Sequence, residues 1–388
     1  MLIPDNRDEF RRYDDPEPYF GPAPAALLSG LAAIPDCEIH IVCCSHRPLC
    51  CPSKLAGNIY YHCVLVPRWG WMRGAYFGCV SAIRQKLREI KPDLVHGQGT
   101  ERYCALAAVH SGFPNVLTIH GNMRKLAQLN LARPFSYLWL AAQLEGWALT
   151  RTLGVFCNST HTYQQVAASV QKSWVVPNAV REAFFLPSRG TPRSPPVLLN
   201  VGYISRNKSQ NELLALAMRL HQRHARFQMQ FIGKLELDTP YASEFRLLLK
   251  RAQQEGFACY LGEKTESELI ELMDGAAGLV HIPKEEAFGL VVAEGLARNL
   301  KLFGTRVGGL IDIASGVEGA ELFNPGDSAI LETAIFKWLA SGSPKTSKGA
   351  AEMRRRYHPS VIARRHLEIY RQIIDPGQVP PLPRPHTA

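Results

Sequence analysis

Lys284-Glu285-Glu286-Ala287-Phe288-Gly289-Leu290-Val291-Val292-Ala293-Glu294 joins a buried apolar run to an amphipathic helix. The run before it, Ala276 to Ile282, has the length and composition of a parallel strand covered on both faces. Pro283 ends that run. A helix starts near Gly289, and Leu290, Ala293, Ala297 and Leu300 fall on one face of it. A turn leading from parallel strand to helix is where open α/β sheets bind ligands. The first amides of such a helix lack internal partners and carry partial positive charge, which suits a phosphate. Gly289 keeps side-chain bulk away from that group. Glu286 lies before the helix and Glu294 within it, so two carboxylates can take hydrogen bonds from two separate sets of hydroxyls.

The same alternation extends outward. Val197 to Gly202, Gln228 to Gly233 and Phe257 to Gly262 read as strands, with helices reaching Glu255 and Asp274 between them. Strands alternating with helices imply a parallel sheet with helices on both faces. Upstream, the expected strands are Glu38 to Cys44, Ile59 to Val66, Asp93 to His96, Val116 to Ile119 and Gly154 to Asn158. The expected helices there are Ala25 to Ile34, Arg73 to Ile90 and Phe135 to Leu149. Met1-Leu2-Ile3-Pro4 has room for only the end of a first strand. The Pro- and Ser-rich stretch 187–196 reads as a linker. It divides a domain at 1–186 from one at 197–349. Residues 350–375 form one basic amphipathic helix, and the Pro-rich tail 376–388 reads as disordered.

At 388 residues the chain is long enough for two or three domains with separate cores. No apolar stretch approaches the roughly 18 residues of a membrane span. Met1 to Asp15 is charged and lacks the apolar segment of a secretory signal, so a cytoplasmic protein is expected. Ten cysteines in a chain this long fit a reducing compartment better than a disulfide framework. Cys43-Cys44 and Cys50-Cys51 are adjacent pairs, poorly spaced for a shared metal ion. A net charge of +10 points to an anionic partner, yet no nucleic-acid-binding module accompanies the scattered arginines. Trp69 and Trp71 stand among Arg68 and Arg73, a composition suited to an anionic membrane surface or to a packed hairpin. Gly97-Gln98-Gly99-Thr100-Glu101-Arg102 imitates a dinucleotide fingerprint, but Arg102 replaces its third glycine, which leaves an ordinary βα turn.

Glu286-x-Phe-Gly-Leu-x-x-x-Glu294, then Gly308-Gly309-Leu-Ile-Asp312, then Leu322-Phe-Asn-Pro-Gly-Asp327 form an ordered series. It resembles the donor-binding half of the retaining GT-B glycosyltransferases of family four. The resemblance covers most of 37–375 and is sharpest over 196–330. It implies an α/β fold of two doubly wound, Rossmann-like domains facing each other across a cleft. It implies sugar transfer from a nucleotide sugar, UDP- or GDP-linked, to an acceptor hydroxyl with retention, in cell-surface polysaccharide or glycolipid synthesis. The acceptor would be a glycan or lipid-linked sugar, met at the inner membrane face. No cofactor and no divalent metal are implied.

Residue by residue, the resemblance gives Glu286 and His120 the donor sugar, and Glu294 the ribose. Lys208 and Arg206 would neutralise the leaving diphosphate. Gly202, Phe288, Gly289 and Leu290 would line the donor site, with Gly21 in the loop beneath the phosphates. The sequence departs from the family at three of these places. Tyr203 stands where an arginine is usual, and Asp312 where glutamate is usual. Phe20-Gly21-Pro22-Ala23 holds one glycine in a loop that is normally glycine-rich, beside a proline with no amide to donate. A nucleotide-sugar isomerase of the same fold and a non-catalytic nucleotide-sugar-binding protein are the alternatives.

Overall fold

The apolar runs pair into two separate sheets. A computed structural model describes residues 1–375 other than 130, 189, 191, 192 and 236–238. One unit holds Met1–Ala179 and the chain from His358 onward, and the other holds Val180–Tyr357. The tail 376–388, and residues 189, 191 and 192 of the expected linker, lie outside the described residues.

In the second unit six parallel strands lie in the order Ala258–Tyr260, Gln228–Ile232, Val197–Val201, Gly278–His281, Lys301–Thr305, Ala320–Phe323. The first strand in sequence is central, so the chain changes direction across the sheet between Val197–Val201 and Gly278–His281. Successive strand residues face opposite layers. Leu199, Leu279 and Leu302 enter one core, with Val292 and Leu296 of the Leu290–Ala297 helix. Leu198, Val280 and Phe303 enter the other, with Leu213 and Phe245. Both faces are therefore covered, and the strands read as unbroken apolar runs for that reason.

The division of the chain differs from the expected one at two points. Val180, Phe184 and Phe185 are buried in a core of the second unit, upstream of the expected linker. Arg193, inside that stretch, donates its amide to Gly275 O at 3.0 Å. The single helix expected over 350–375 is two, Gly349–Tyr357 and Pro359–Ile374. Pro359 has no amide for a continuing helix and forces His358 into extended backbone (φ −61°, ψ 141°). Met353 and Tyr357 enter the core of the second unit, whereas Ile362, Leu367 and Ile369 enter that of the first.

The first unit's strands run in the order Lys54–Ala56, Ile59–Leu65, Ile39–Ser45, then Val95–Gln98, Asn115–Ile119, Gly154–Cys157, Ser173–Val175. Lys54–Ala56 is antiparallel to its neighbour. Leu2 bridges Ile39–Ser45 and Val95–Gln98, as a strand one residue long. Its amide donates to His96 O (2.8 Å), and its carbonyl accepts from the Gln98 amide (2.9 Å). Cys43 and Cys44 enter different cores, so the two thiols cannot share an ion. Trp71 is packed: its indole stacks on His46 at 4.0 Å and donates to Val66 O at 3.1 Å. Trp69, two residues away, is 71% exposed. Among the described residues no helix is long and apolar enough to cross a membrane.

The helix Pro22–Ala32 crosses Pro359–Ile374 at Gly30. A Cβ on Gly30 would lie 2.2 Å from Pro359 O and 3.0 Å from Ala363 Cβ. Intrinsic helix propensity favours alanine here by about 1 kcal/mol. Overpacking works the other way, so Gly30→Ala should destabilise the fold by about 1–3 kcal/mol. A lowered urea midpoint checks this; an unchanged or raised midpoint would show that the helices do not meet so closely.

Candidate active site

The turns after Val197–Val201 and Gly278–His281 meet beyond the carboxyl ends of those strands. Asn207 clips them together. Its side-chain amide donates to Glu285 O (3.0 Å), its Oδ1 accepts from the Glu285 amide (3.1 Å), and its own carbonyl accepts from the Lys284 amide (2.7 Å). Lys208 is thereby set against Glu286, and its ammonium pairs with Oε2. His281 donates from Nε2 to the same oxygen at 3.0 Å. His281 is 1% exposed, and burial lowers its pKa, so it acts as a neutral donor. Burial alone would raise the Glu286 carboxyl, but Lys208 and His281 outweigh it and hold the pKa at about 2. Glu286 is thus a fixed anion at neutral pH.

Glycines allow this close fit. Gly202 (φ +152°) lies against the Lys208 stem, where a Cβ would meet Cδ at 3.9 Å. Gly289 (φ +96°) opens the helix, where a Cβ would lie 2.7 Å from Leu310 Cδ1. The Phe288 ring is buried edge-on against Tyr357, with centroids 5.5 Å apart, so the residue meets a ligand only through its main chain. The amides of Gly289 and Leu290 precede the regular hydrogen bonds of the helix. Gly308 and Gly309 serve the protein backbone: a Cβ on Gly308 would lie 1.8 Å from Glu286 O, and Gly309 donates its amide to that oxygen at 3.0 Å. Arg206 is exposed and forms no ion pair among the described residues.

Glu294 is 3% exposed, and its Oε1 accepts from Arg181 Nε (3.1 Å) and Nη2 (2.8 Å). Arg181 also pairs with Glu266 through Nη1, at 2.8 Å. Burial raises the Glu294 carboxyl to about 7, because Arg181 offsets the desolvation only in part. Reading the sequence passed over both Arg181 and His281. Arg181 is one arginine among many, with no local pattern. His281 had a signal, a polar residue closing an apolar strand five positions before Glu286.

In the first unit, His120 follows Asn115–Ile119 and shares a cavity of about 410 Å³ with Gly21, Gln98, Glu101 and Asn178. His120 donates from Nε2 to Gln98 Oε1 at 3.0 Å. The Gln98 amide reaches His96 at 3.4 Å, and His96 in turn meets the Thr118 and Tyr370 hydroxyls. Burial lowers the His120 pKa, although Glu101 and Asn178 pull it upward. Gly21 (φ +79°) caps the helix Pro22–Ala32. Pro22 and Pro24 both lack an amide, so only Ala23 donates among the first three helical residues. That start is a poor phosphate site beside the one at Leu290.

Two family models match the chain: Glycosyltransferase Family 4 over residues 25–184, and Glycosyl transferases group 1 over 183–357. A search of curated proteins finds no match. Similar solved structures include sucrose-phosphate synthase from Thermosynechococcus elongatus (18% identity, 90% of this chain and 92% of that one, TM-score 0.72). HepE from Anabaena in complex with UDP-glucose matches at 18% identity over 95% and 98% of the two chains, TM-score 0.68. The lipopolysaccharide outer core galactosyltransferase WaaB matches at 15% identity over 96% and 100%, TM-score 0.62. At these identities the likeness speaks for the fold, which is the GT-B pair of Rossmann-like sheets. With the two models spanning residues 25–357 and the sheets agreeing, the chain belongs to the group 1, family 4-type glycosyltransferases.

Proposed function

We propose that this glycosyltransferase transfers a sugar from a nucleotide sugar with retention and without a divalent metal, in polysaccharide or glycolipid synthesis. The observation that carries this reading is the Lys208–Glu286–His281 cluster, set at the reversal of the second sheet beside the helix start at Leu290. Such a reversal is the usual ligand crevice of a doubly wound sheet. A nucleoside diphosphate departs with added negative charge, and donors fixed beforehand lower that barrier. Lys208 and the amides of Gly289 and Leu290 supply them, and Arg206, on the same turn, adds a second cation from solvent. The departing phosphate assists the acceptor hydroxyl on the face it leaves. Glu286 and His120 position the sugar, Glu294 accepts from the ribose, and Gly202, Gly21 and the main chain of Phe288 leave room for the donor. Exposed Trp69 beside Arg68 supports an anionic membrane surface, at the inner membrane face, as the place where the acceptor is met.

HepE, solved with UDP-glucose, makes UDP the first nucleotide to try. Calorimetric titration with UDP, GDP, ADP and their hexose conjugates, each with excess EDTA, should give saturable binding of one nucleotide. NMR of the glycoside formed should then show the donor's anomeric configuration kept. No binding of any nucleotide would end the donor-site assignment. Binding lost with EDTA would end metal independence, and an inverted product would end retention.

A further inference from the structure

Three loops leave the carboxyl edge of the first sheet side by side: after Leu2, after Ile39–Ser45 and after Ile59–Leu65. Buried polar contacts tie them to one another. Arg7, fully buried, pairs with Asp5 at 2.8 Å and donates to Cys50 O at 2.9 Å, which joins the first loop to the second. Asp8 accepts from the Ser45 hydroxyl and the His46 amide, both at 3.1 Å, and meets His46 Nδ1 at 2.6 Å. His46 stacks on Trp71, which joins the second loop to the third. Each loop also places one exposed arginine at a shared cavity: Arg11, Arg47 and Arg68. These line a single cavity of about 420 Å³ with Tyr13 and Asp14. The Arg47 guanidinium lies 5.3 Å from the centre of the Tyr13 ring. Among the described residues none of the three arginines forms an ion pair, so three cations face one Asp14.

We propose that Arg11, Arg47 and Arg68 hold a phosphoryl group of the acceptor. The proposal rests on the reading of the first unit as the acceptor side. A carboxylate occupies one guanidinium fork, whereas a phosphoryl group offers several oxygens in several directions and can engage more than one. The loops are fixed before binding, so little ordering is left for the ligand to impose. The phosphoryl group is carried either by a soluble sugar phosphate or by a lipid headgroup. The exposed Trp69 beside Arg68 suits the second source as readily as the cavity suits the first.

The test uses the full chain, with glucose 6-phosphate and glucose in calorimetry, and phosphatidylglycerol–phosphatidylcholine vesicles in flotation. The variant is Arg47→Gln with Arg68→Gln. Its control is Arg84→Gln with Arg88→Gln, which removes the same charge from the Phe77–Ile90 helix, outside the cavity. Loss of two charge-assisted contacts should weaken binding roughly 30-fold or more, with the control unchanged. Binding of glucose 6-phosphate but not glucose, lost in the variant, assigns a soluble sugar phosphate. Flotation with the vesicles alone, lost in the variant, assigns a lipid phosphate. Equal losses in variant and control, or no phosphate-dependent binding in either assay, overturn the pocket. UDP-glucose titrated into the same preparations reports on the donor reading separately. Its binding should survive in every variant, and its failure leaves the phosphate result standing on its own.

Discussion

Lys208→Ala should lower kcat about 10²–10³-fold while moving the donor KM only a few-fold. The proposed role of the ammonium is to meet charge that develops as the diphosphate departs, so its loss falls on the transition state. The structure adds a second cost. Glu286 is buried and is kept ionised by Lys208 and His281. Without Lys208 the carboxyl has only a neutral imidazole beside it, and its pKa rises. A depressed carboxyl adds stability that is present above the ordinary carboxylate range and lost as pH falls through about 2. In the variant that loss begins at higher pH, so acid unfolding should start earlier. Lys208→Arg should restore acid tolerance more fully than turnover, since charge survives but position does not. Steady-state kinetics and acid titration by circular dichroism check both parts. Wild-type kcat in Lys208→Ala would remove Lys208 from the site.

Glu294→Gln should weaken binding of the cognate nucleotide by about 10–100-fold, the scale of one charged hydrogen bond exchanged for a neutral one plus a partner left unpaired. The side chain keeps its shape but loses the charge that Arg181 and the proposed ribose hydroxyls share. The raised pKa gives a second, independent readout. Below the ordinary carboxylate range the folded and unfolded states are both protonated. As pH rises toward about 7 the unfolded chain loses this proton and the folded one keeps it, so stability falls over that interval and levels above it. Glu294→Gln should flatten that slope. Nucleotide affinity should rise with pH through about 7 in the wild type, because the ionised carboxylate is the better acceptor, and should not do so in the variant. A flattened stability slope with unchanged affinity would make Glu294 a structural partner of Arg181 alone.

The strand, proline, glycine and helix around Glu286 were legible because each has a local signature. The pairing that organises the site was not, since Lys208 and Glu286 lie 78 positions apart and no periodicity links them. The Gly308-Gly309 pair was visible, but what it packs against was not: a Cβ at either position would run into the backbone of Glu286 or Phe288. The helical pattern over 350–375 runs on past His358-Pro359, so amphipathicity alone could not show that the two halves serve different cores. The strand end expected at Met1 to Pro4 is the single bridging residue Leu2, placed by its position before the first helix because one residue carries no alternation.

That break at His358 bears on how the protein is made. Translation delivers Val180–Tyr357 whole before it delivers the helix Pro359–Ile374, which covers Leu27, Leu31 and Phe156. The second unit can therefore fold as it emerges, whereas the first leaves an apolar face uncovered until that helix follows. A stop codon at or before the helix Pro359–Ile374 would strand the N-terminal half, not the end it truncates.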